Sequence, residues 1–470
     1  MEKRKKKFKL VDAILGTVCL TLVCESVMPT AAIGNTQYFW WIFLLIGFCL
    51  PYGMITAELG TTYPSEGGMY DWVKRAFGPK WAGRVAWNYW INFPLWIASL
   101  AVAVTDIVAG MFGIELNLVM LLLIQLGYTW VVCFLGTQRI GESKYIVNLG
   151  TVFKVVLLLG IGLLGLYSFI HTGHSANPVT SFSDLIPEFS LEGWSFISII
   201  LFNFMGFEVV GSWVEDMENP KKDIPKALII GGLLMAVFYI LPATGFNIAL
   251  PPEVVETLDP ENVVEVLTTL FTTVGMSADL VKALVIGAGF MFIYTFIANI
   301  ASWSFGVNEV AAYAAEDGSM PKFFAKKNEE GVPYVASITN GIVASIIIIG
   351  GIVASYISEE FSAGFSLFFC LSWITLLVGY IPMFLAFLKL RKQDKDIERP
   401  YKVPGGNFMI HVAAIVPFII LILGVVFTLF GDFTAEYIQE NIPLLVGVAI
   451  SFVIEEILVA RIKNTKKVTA

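Results

Sequence analysis

The chain alternates between long apolar segments and short polar ones along nearly its whole length. Most apolar segments run for about twenty residues or more, the length that an α-helix needs to cross about 30 Å of hydrocarbon. Their edges define twelve predicted spans, at residues 11–33, 38–59, 84–111, 116–136, 146–170, 195–215, 227–250, 280–315, 334–356, 362–388, 408–430 and 442–462. The pattern therefore predicts an all-α, polytopic membrane protein.

Lysine and arginine fall into alternate loops between these spans. With the N-terminus placed inside, the inner segments hold the basic residues Lys3 to Lys9, Lys74, Arg75, Lys80, Arg84, Arg139, Lys144, Lys221, Lys222, Lys226, Lys322, Lys326, Lys327, Lys389 to Lys402 and Arg461 to Lys467. Of the 30 basic residues, only Lys154 and Lys282 lie elsewhere. Because cytoplasmic loops carry an excess of lysine and arginine, the pattern predicts a plasma-membrane protein with cytoplasmic N- and C-termini.

Acidic residues dominate the opposite loops, which contain Glu115, Asp184, Glu253 and Glu436 among others and no arginine. An acidic outer rim would concentrate cations near the mouth of a pathway. The alternative is that acidic residues are only tolerated on the outer side, from which basic residues are excluded.

The composition agrees with a membrane protein. Of 470 residues, 57% are hydrophobic and 14% are charged, whereas soluble proteins have about 25% charged residues.

The five cysteines lie inside apolar runs without a CxxC pair, so neither a disulfide framework nor a zinc site is expected. No histidine lies deep in a span and no cysteine has an adjacent base, which argues against an enzyme. We expect no cofactor, metal or nucleic acid, and contacts with membrane lipid and a small substrate; the oligomeric state is open.

Ionisable side chains lie deep within four predicted spans, namely Glu25, Asp106, Lys154 and Glu208. Such a group costs roughly 2.5–3.5 kcal/mol at mid-bilayer on insertion scales, so each is a functional candidate. Glu58 lies nearer the inner end of span 2, where we expect water to reach it. Glu455 and Glu456 lie in the last span, and the sequence assigns them no role.

Two spans contain features that interrupt a helix. In span 1, Pro29 lacks a backbone donor and follows Glu25 among small and polar residues. In span 6, Asn203, Gly206 and Glu208 lie together near mid-membrane. Broken helices leave carbonyls and amides free to face a cavity, so two such spans, five helices apart, suggest two repeats with substrate held between them. The alternative is a kinked helix that packs on small residues.

Several segments resemble motifs of the amino acid–polyamine–organocation transporters. They are AELGTTYPSEGGMYDWVKRAFGPKWAG at 57–83, GFEVVGSWVEDMENPKKDIPKA at 206–227, AAYAAEDGSMPKFFAKKNEEGVP at 311–333, and the pair LLVGYIPMFLAFLKLRK at 376–392 with RPYKVPGG at 399–406. The resemblance implies a LeuT-like fold with a 5+5 inverted repeat, two extra helices and discontinuous helices 1 and 6. The repeats would cover residues 11–170 and 195–388, the extra helices 408–462, and the basic cytoplasmic ends 1–10 and 463–470.

In amino acid transporters of this family, a turn of small residues in span 1 binds the substrate carboxylate through its amides. This sequence has Cys24, Glu25 and Ser26 there. A fixed carboxylate would repel a substrate carboxylate by about 4 kcal/mol at about 4 Å for an effective dielectric constant near 20, and it would attract an ammonium group. Polyamine carriers of the family have similar acidic residues at the positions of Glu25 and Asp106. The alternative is that Glu25 is protonated and only hydrogen-bonds to the broken helix.

Further site residues are implied by the resemblance to the arginine–agmatine exchangers of the family. Trp303, fifteen residues before the glycine of AAEDG, matches the tryptophan that stacks on the substrate guanidinium. Glu208 matches a glutamate used in gating and in the response to pH, and Phe202 matches another aromatic site position. We expect these to be joined by Asn203 in span 6 and by Asn92 and Trp96 in span 3.

Lys154 resembles a lysine of proton-coupled members that lies where sodium-coupled relatives bind sodium. The resemblance implies that an ammonium group there neutralises the site, so no sodium requirement is expected. Two roles stay open at this point: loss of its proton during the transport cycle, since buried lysines become less basic, or a permanent cation that links span 5 to span 1 or 8.

These residues together predict a secondary transporter of cationic amines that exchanges agmatine for putrescine by alternating access. The site would contact substrate through residues 24–26 and through Asn92, Trp96, Asp106, Phe202, Asn203, Glu208 and Trp303, with Lys154 and Glu208 in proton coupling or gating. The alternatives are proton-coupled uptake of a polyamine or amino acid, and exchange of an amino acid for its decarboxylated amine, as in glutamate/GABA or tyrosine/tyramine antiport.

Overall fold

The computed structural model describes residues 9–24, 27, 33–138, 140–187, 197–209, 217–255, 257–259, 262–357, 364–431 and 433–462. The regular elements within these ranges are helices. Ten of the twelve predicted spans are helices long and apolar enough to cross a membrane. The two others, spans 1 and 6, are the two that the sequence predicts to be interrupted. The all-α, polytopic fold class is confirmed.

The ten long spans have well-defined bounds. They are Gln37–Leu44, Leu45–Cys49 (a π-helical turn) and Leu50–Thr62 in span 2, Pro79–Phe112 in span 3, Leu118–Leu135 in span 4, Ile140–Thr172 in span 5, Pro220–Ala249 in span 7, Ala278–Glu316 in span 8, Tyr334–Ile357 in span 9, Phe365–Gln393 in span 10, Gly406–Phe430 in span 11 and Ile442–Ala460 in span 12. Shorter helices, Gly68–Phe77, Val263–Thr273 and Ala435–Glu440, lie in the loops between spans. The repeat boundaries stay a prediction.

In spans 1 and 6 the described helix ends before the end of the predicted span. The helix of span 1 covers Leu10–Thr21 and is followed by Leu22 in an extended conformation. The described helix of span 6 is Ile197–Phe202, after which the chain turns before it reaches Glu208. Gly206 in this turn has a φ of +112°, a conformation that glycine adopts without the steric penalty of a Cβ. The predicted discontinuity of helices 1 and 6 is confirmed.

Span 5 approaches its neighbours at two glycines. A Cβ on Gly150 would lie 2.2 Å from the Cβ of Ala298 in span 8, and a Cβ on Gly165 would lie 2.3 Å from the Cα of Gly245 in span 7. Small residues allow helix backbones to approach closely in membranes, where packing contributes most of the association energy. Span 5 is therefore held between spans 7 and 8, which positions Lys154 one turn after Gly150.

Three of the segments that resemble family motifs, 57–83, 376–392 and 399–406, meet at one end of the helices, around Glu58. Its carboxylate accepts hydrogen bonds from Arg391 Nε at 2.7 Å and from the Val403 backbone N–H at 2.7 Å, and Arg399 Nη1 lies 3.4 Å away. The Glu58 side chain is fully buried. The expectation that water reaches it is wrong, because two guanidinium groups cover the carboxylate.

A second ionic cluster at this end surrounds Lys327. Its Nζ lies 3.2 Å from Glu309, 3.3 Å from Glu66 and 3.6 Å from Glu316. Partial burial disfavours the charged ammonium, but the three carboxylates outweigh that effect and raise the pKa of Lys327. These contacts bind the loop after span 2 and the loop after span 8 to each other.

The two glutamates of the last span join it to span 3. Arg84 donates to Glu456 through Nε at 2.7 Å and through Nη2 at 2.9 Å. Asn88 Nδ2 donates to Glu455 Oε2 at 2.6 Å, and Arg84 Nε lies 3.7 Å from Glu455. The sequence assigned these glutamates no role, since their partners lie more than 360 residues away in the chain.

Candidate substrate site

The break of span 1 lies beside the ammonium group of Lys154. The last four carbonyls of an α-helix have no partner within the helix and need donors from elsewhere. Lys154 Nζ donates to the Cys19 carbonyl at 2.6 Å and also to the Leu22 carbonyl. The side chain is 1% exposed, so both carbonyls are satisfied by this cation in place of water.

Two aromatic side chains satisfy the carbonyls between these positions. Trp303 Nε1 of span 8 donates to the Leu20 carbonyl at 3.1 Å. The Tyr239 hydroxyl of span 7 donates to the Thr21 carbonyl at 2.8 Å and accepts from the Val23 N–H at 2.8 Å. The broken end of span 1 is therefore held by donors from spans 5, 7 and 8.

Trp303 also contacts the break of span 6. A Cβ on Gly206 would lie 2.9 Å from the Trp303 ring, so only glycine lets the indole approach this turn. The Trp96 ring packs edge-on against Trp303, with centroids 5.6 Å apart, and Tyr89 lies 6.4 Å away. The structure thus brings Trp96 and Trp303 together between the two breaks, and we call these rings, with Phe202, the aromatic wall. Their role in substrate binding stays a prediction.

Phe202, the last helical residue before the break of span 6, extends this wall. Its ring packs edge-on against Trp96 at 5.9 Å, Trp373 at 5.2 Å and Phe369 at 4.8 Å. The sequence reasoning missed Phe369 and Trp373 of span 10. Their spacing of four residues puts them on one helix face, but the same spacing is common in helices that only pack, so the pattern alone does not identify them.

Glu208 is surrounded by tyrosines. The Tyr89 hydroxyl donates to Oε1 at 2.7 Å, and the Tyr52 hydroxyl donates to Oε2. The Glu208 N–H donates to Tyr52 at 3.3 Å, and the Tyr380 hydroxyl lies 3.5 Å from that of Tyr52. All are buried. The carboxylate that follows the break of span 6 is thereby tied to spans 2 and 3, and Tyr380 adds span 10 to the cluster. The sequence predicts Glu208 but not these tyrosines.

The other predicted site residues have different surroundings. Cys24 and Asn203 are buried beside the two breaks, whereas Glu25 and Ser26 lie outside the described residues. Asn92 is buried and donates to the Tyr89 carbonyl of its own helix. Asp106 is exposed, ten residues or about 15 Å along span 3 from Trp96. The structure therefore does not bring Asp106 to the aromatic wall.

The arrangement of two broken helices around buried aromatic and acidic residues is accompanied by a sequence match over most of the chain. A family model described as amino acid permease matches residues 8–453. The chain belongs to the amino acid permease family. The match extends from the basic N-terminus into span 12, so the family resemblance of the motifs is confirmed, and the protein is a multi-pass membrane permease.

Relatives of this permease include named antiporters and transporters. A probable agmatine/putrescine antiporter of Lactococcus lactis is 42% identical over 98% of this chain and 96% of that protein. A probable polyamine transporter of Arabidopsis thaliana is 27% identical over 76% of this chain and 66% of its own length. A glutamate/gamma-aminobutyrate antiporter of Lactococcus lactis is 24% identical over 91% of this chain and 84% of its own length.

The fold of the permease is similar to the crystal structure of a manganese transporter from Eremococcus coleocola. The TM-score is 0.55, and the match covers 96% of this chain and 93% of that chain at 11% sequence identity. At this identity the likeness concerns the fold alone.

Proposed function

We propose that the permease exchanges agmatine for putrescine across the plasma membrane by alternating access, with both termini in the cytoplasm. The observation that carries the proposal is the position of Trp303, whose indole N–H binds the Leu20 carbonyl and whose ring lies against Gly206. A tryptophan fixed between two broken helices offers its π-face to a cation, which is worth about 0.5–2 kcal/mol.

The charges of the site match a ligand with two cationic ends. Glu25 directly follows Cys24 in the break of span 1, where a carboxylate attracts an ammonium and repels the carboxylate of an α-amino acid. Glu208 is a second acidic group, which follows the break of span 6. In our proposal one cationic group of the substrate pairs with Glu25. The aromatic wall packs against the other end of the substrate, and Glu208 pairs with the second cationic group. Agmatine and putrescine are both dications at neutral pH, so one-for-one exchange moves no net charge.

The named relatives support an amine as the substrate. The antiporter that is 42% identical is named for agmatine and putrescine, and the Arabidopsis relative is named for polyamines. The glutamate/gamma-aminobutyrate antiporter is more distant, at 24% identity, and Glu25 argues against an α-amino acid in this site. Sodium is not part of the proposal, because Lys154 supplies a positive charge to the carbonyls of span 1.

Glu25→Gln is expected to reduce agmatine uptake into putrescine-loaded proteoliposomes by about tenfold or more. The amide keeps the size of the side chain but loses the attraction for an ammonium, and about 1.4 kcal/mol corresponds to a factor of ten. Glu436→Gln is the matched control, because Glu436 is an exposed glutamate of the short helix Ala435–Glu440. Normal transport by the Glu25 variant would show that the amine site is wrongly assigned.

The same vesicles separate the competing transport modes. An obligate exchanger takes up labelled agmatine only when the lumen contains an amine. A proton symporter takes it up into empty vesicles under a pH gradient. Competition by arginine or by another parent amino acid would indicate exchange of an amino acid for its amine.

Trp303→Leu is expected to raise the KM for agmatine by roughly 2- to 30-fold, because it removes a cation–π contact worth about 0.5–2 kcal/mol. Trp303→Phe keeps an aromatic face but has a smaller ring and no indole N–H, so its KM should lie between those of the leucine variant and the wild type. Trp81→Leu is a control, since Trp81 is 49% exposed near the start of span 3. Equal KM values for the leucine variant and the wild type would exclude Trp303 from the site.

A further inference from the structure

Tyr239 takes the place of helical hydrogen bonds at the break of span 1. In a continuous α-helix the Val23 N–H would donate to the Cys19 carbonyl. Here that carbonyl accepts from the lysine of span 5, and the Val23 N–H donates to the Tyr239 hydroxyl. The same hydroxyl donates to the Thr21 carbonyl. One side chain thus bridges the residues on either side of Leu22 and takes the place of the helical partners that the break removes.

The Tyr239 ring belongs to a three-ring cluster with Trp41 of span 2 and Phe204 of span 6. Tyr239 stacks on Trp41 with centroids 4.6 Å apart and rings inclined by 13°. Phe204 packs edge-on against both, at 6.3 Å from Tyr239 and 5.6 Å from Trp41. All three rings are buried to at least 99%, so the cluster packs without exposure to the surroundings of the protein.

Phe204 lies within the turn that interrupts span 6, between Phe202 and Gly206. The hydroxyl of Tyr239 therefore holds the break of span 1 while its ring contacts the break of span 6. Phe202 and Glu208, which our proposed function assigns to substrate, lie on either side of the break of span 6, and Glu25 directly follows Cys24 in the sequence. A displacement of either break would be transmitted to the other through Tyr239.

We propose that Tyr239 is a positioning residue for the amine substrate, which keeps the two broken helices in a fixed relation by bridging span 1 through its hydroxyl and span 6 through its ring. This role rests on the proposed amine exchange. Tyr239 acts through the backbone on either side of Leu22, directly before Cys24 and Glu25.

Tyr239→Phe is expected to raise the KM for both agmatine and putrescine by about tenfold, equivalent to about 1.4 kcal/mol, while the maximal exchange rate changes by less than about twofold. The variant keeps the ring cluster but leaves the Thr21 carbonyl and the Val23 N–H without this partner, so the break relaxes before substrate binds. The measurements are initial exchange rates in proteoliposomes over a range of amine concentrations, and amine affinity by calorimetry in detergent.

Tyr38→Phe is the matched control. The Tyr38 hydroxyl donates to Thr244 at 3.2 Å and so joins the same two spans, 2 and 7, away from the break. We expect wild-type KM values for it. If Tyr239→Phe reduced only the yield or the thermal stability and left both KM values unchanged, Tyr239 would be a structural residue and the proposal would be overturned.

Phe204→Leu tests the ring contact without touching the hydrogen bonds of Tyr239, and it serves where Tyr239→Phe fails to fold. We expect a rise in KM of about threefold, and a double variant whose effect is smaller than the product of the two single effects, as for residues in contact. Wild-type KM values for Phe204→Leu, or independent effects, would contradict the coupling of the breaks. Failure of the wild type to exchange agmatine would overturn the proposed function instead, and it is measured in parallel.

Discussion

Lys154→Met is expected to reduce amine exchange by at least about a hundredfold and to lower the temperature at which the protein unfolds. The variant removes the ammonium group that donates to the carbonyls of Cys19 and Leu22, at a residue that is 1% exposed to water. Each unsatisfied buried group costs roughly 1–3 kcal/mol. The broken conformation of span 1 depends on these carbonyls being paired, so both folding and transport should suffer. The measurements are exchange in proteoliposomes and thermal unfolding in detergent.

Lys282→Met provides the control, because Lys282 is an exposed lysine in the second turn of span 8. It should exchange amines and unfold like the wild type. The two roles of Lys154 that the sequence left open predict different outcomes. A permanent cation makes the methionine variant inactive at every pH, in exchange as well as in net uptake. A proton carrier would leave amine-for-amine exchange intact and abolish only its dependence on a pH gradient.

The spans and their alternation were predictable because they depend on local properties. Twenty apolar residues suffice to define a membrane helix, and ten predicted spans are long apolar helices. The interruptions were also predictable, since Gly206 in span 6 and the small and polar residues around Glu25 in span 1 disfavour a continuous helix by their own chemistry. The resemblance to family motifs then predicted Trp303 and Phe202 as site residues, and the rings of both contact Trp96 between the breaks.

The partners of these residues were not predictable, because they come from distant parts of the chain. Tyr52 and Glu208 are 156 residues apart, and Tyr239 and Val23 are 216 apart. A tyrosine in an apolar helix has no local signal that separates a hydrogen-bonding role from packing. Asp106 shows the converse case: its charge and a family resemblance marked it as a site residue, whereas the structure puts it about 15 Å along span 3 from Trp96.

Glu58 shows why burial cannot be deduced from the position of a residue within a helix. The sequence places it within a turn of the end of span 2, which ordinarily implies contact with water. The structure instead covers it with Arg391, in the last turn of span 10, and with Arg399 and Val403 of the next loop. The segments 57–83, 376–392 and 399–406, which resemble family motifs, therefore contribute to one ionic contact.

Glu58→Gln is accordingly expected to lower the free energy of unfolding by about 3–5 kcal/mol, the typical cost of removing one partner from a buried ion pair. The amide fills the same volume, but the guanidinium groups of Arg391 and Arg399, which are 19% and 6% exposed, lose their counter-charge. Glu456→Gln is the matched control, because its side chain is 58% exposed and pairs with Arg84. Exposed ion pairs contribute about 0–1 kcal/mol to the free energy of unfolding, so Glu456→Gln should lower it by no more than that.

The measurement is reversible denaturation of the purified variants in mixed micelles, with amine exchange as a second readout. Adding Arg391→Met to Glu58→Gln should recover part of the lost stability, since it removes one of the two uncompensated charges and keeps an apolar side chain of similar length. If the Glu58 variant unfolded within about 1 kcal/mol of the wild type, as a surface pair does, the carboxylate would have to be hydrated in solution. The end of span 2 that carries Glu58 would then be free to move independently of span 10, and the ionic contact would not restrain that end of the helices.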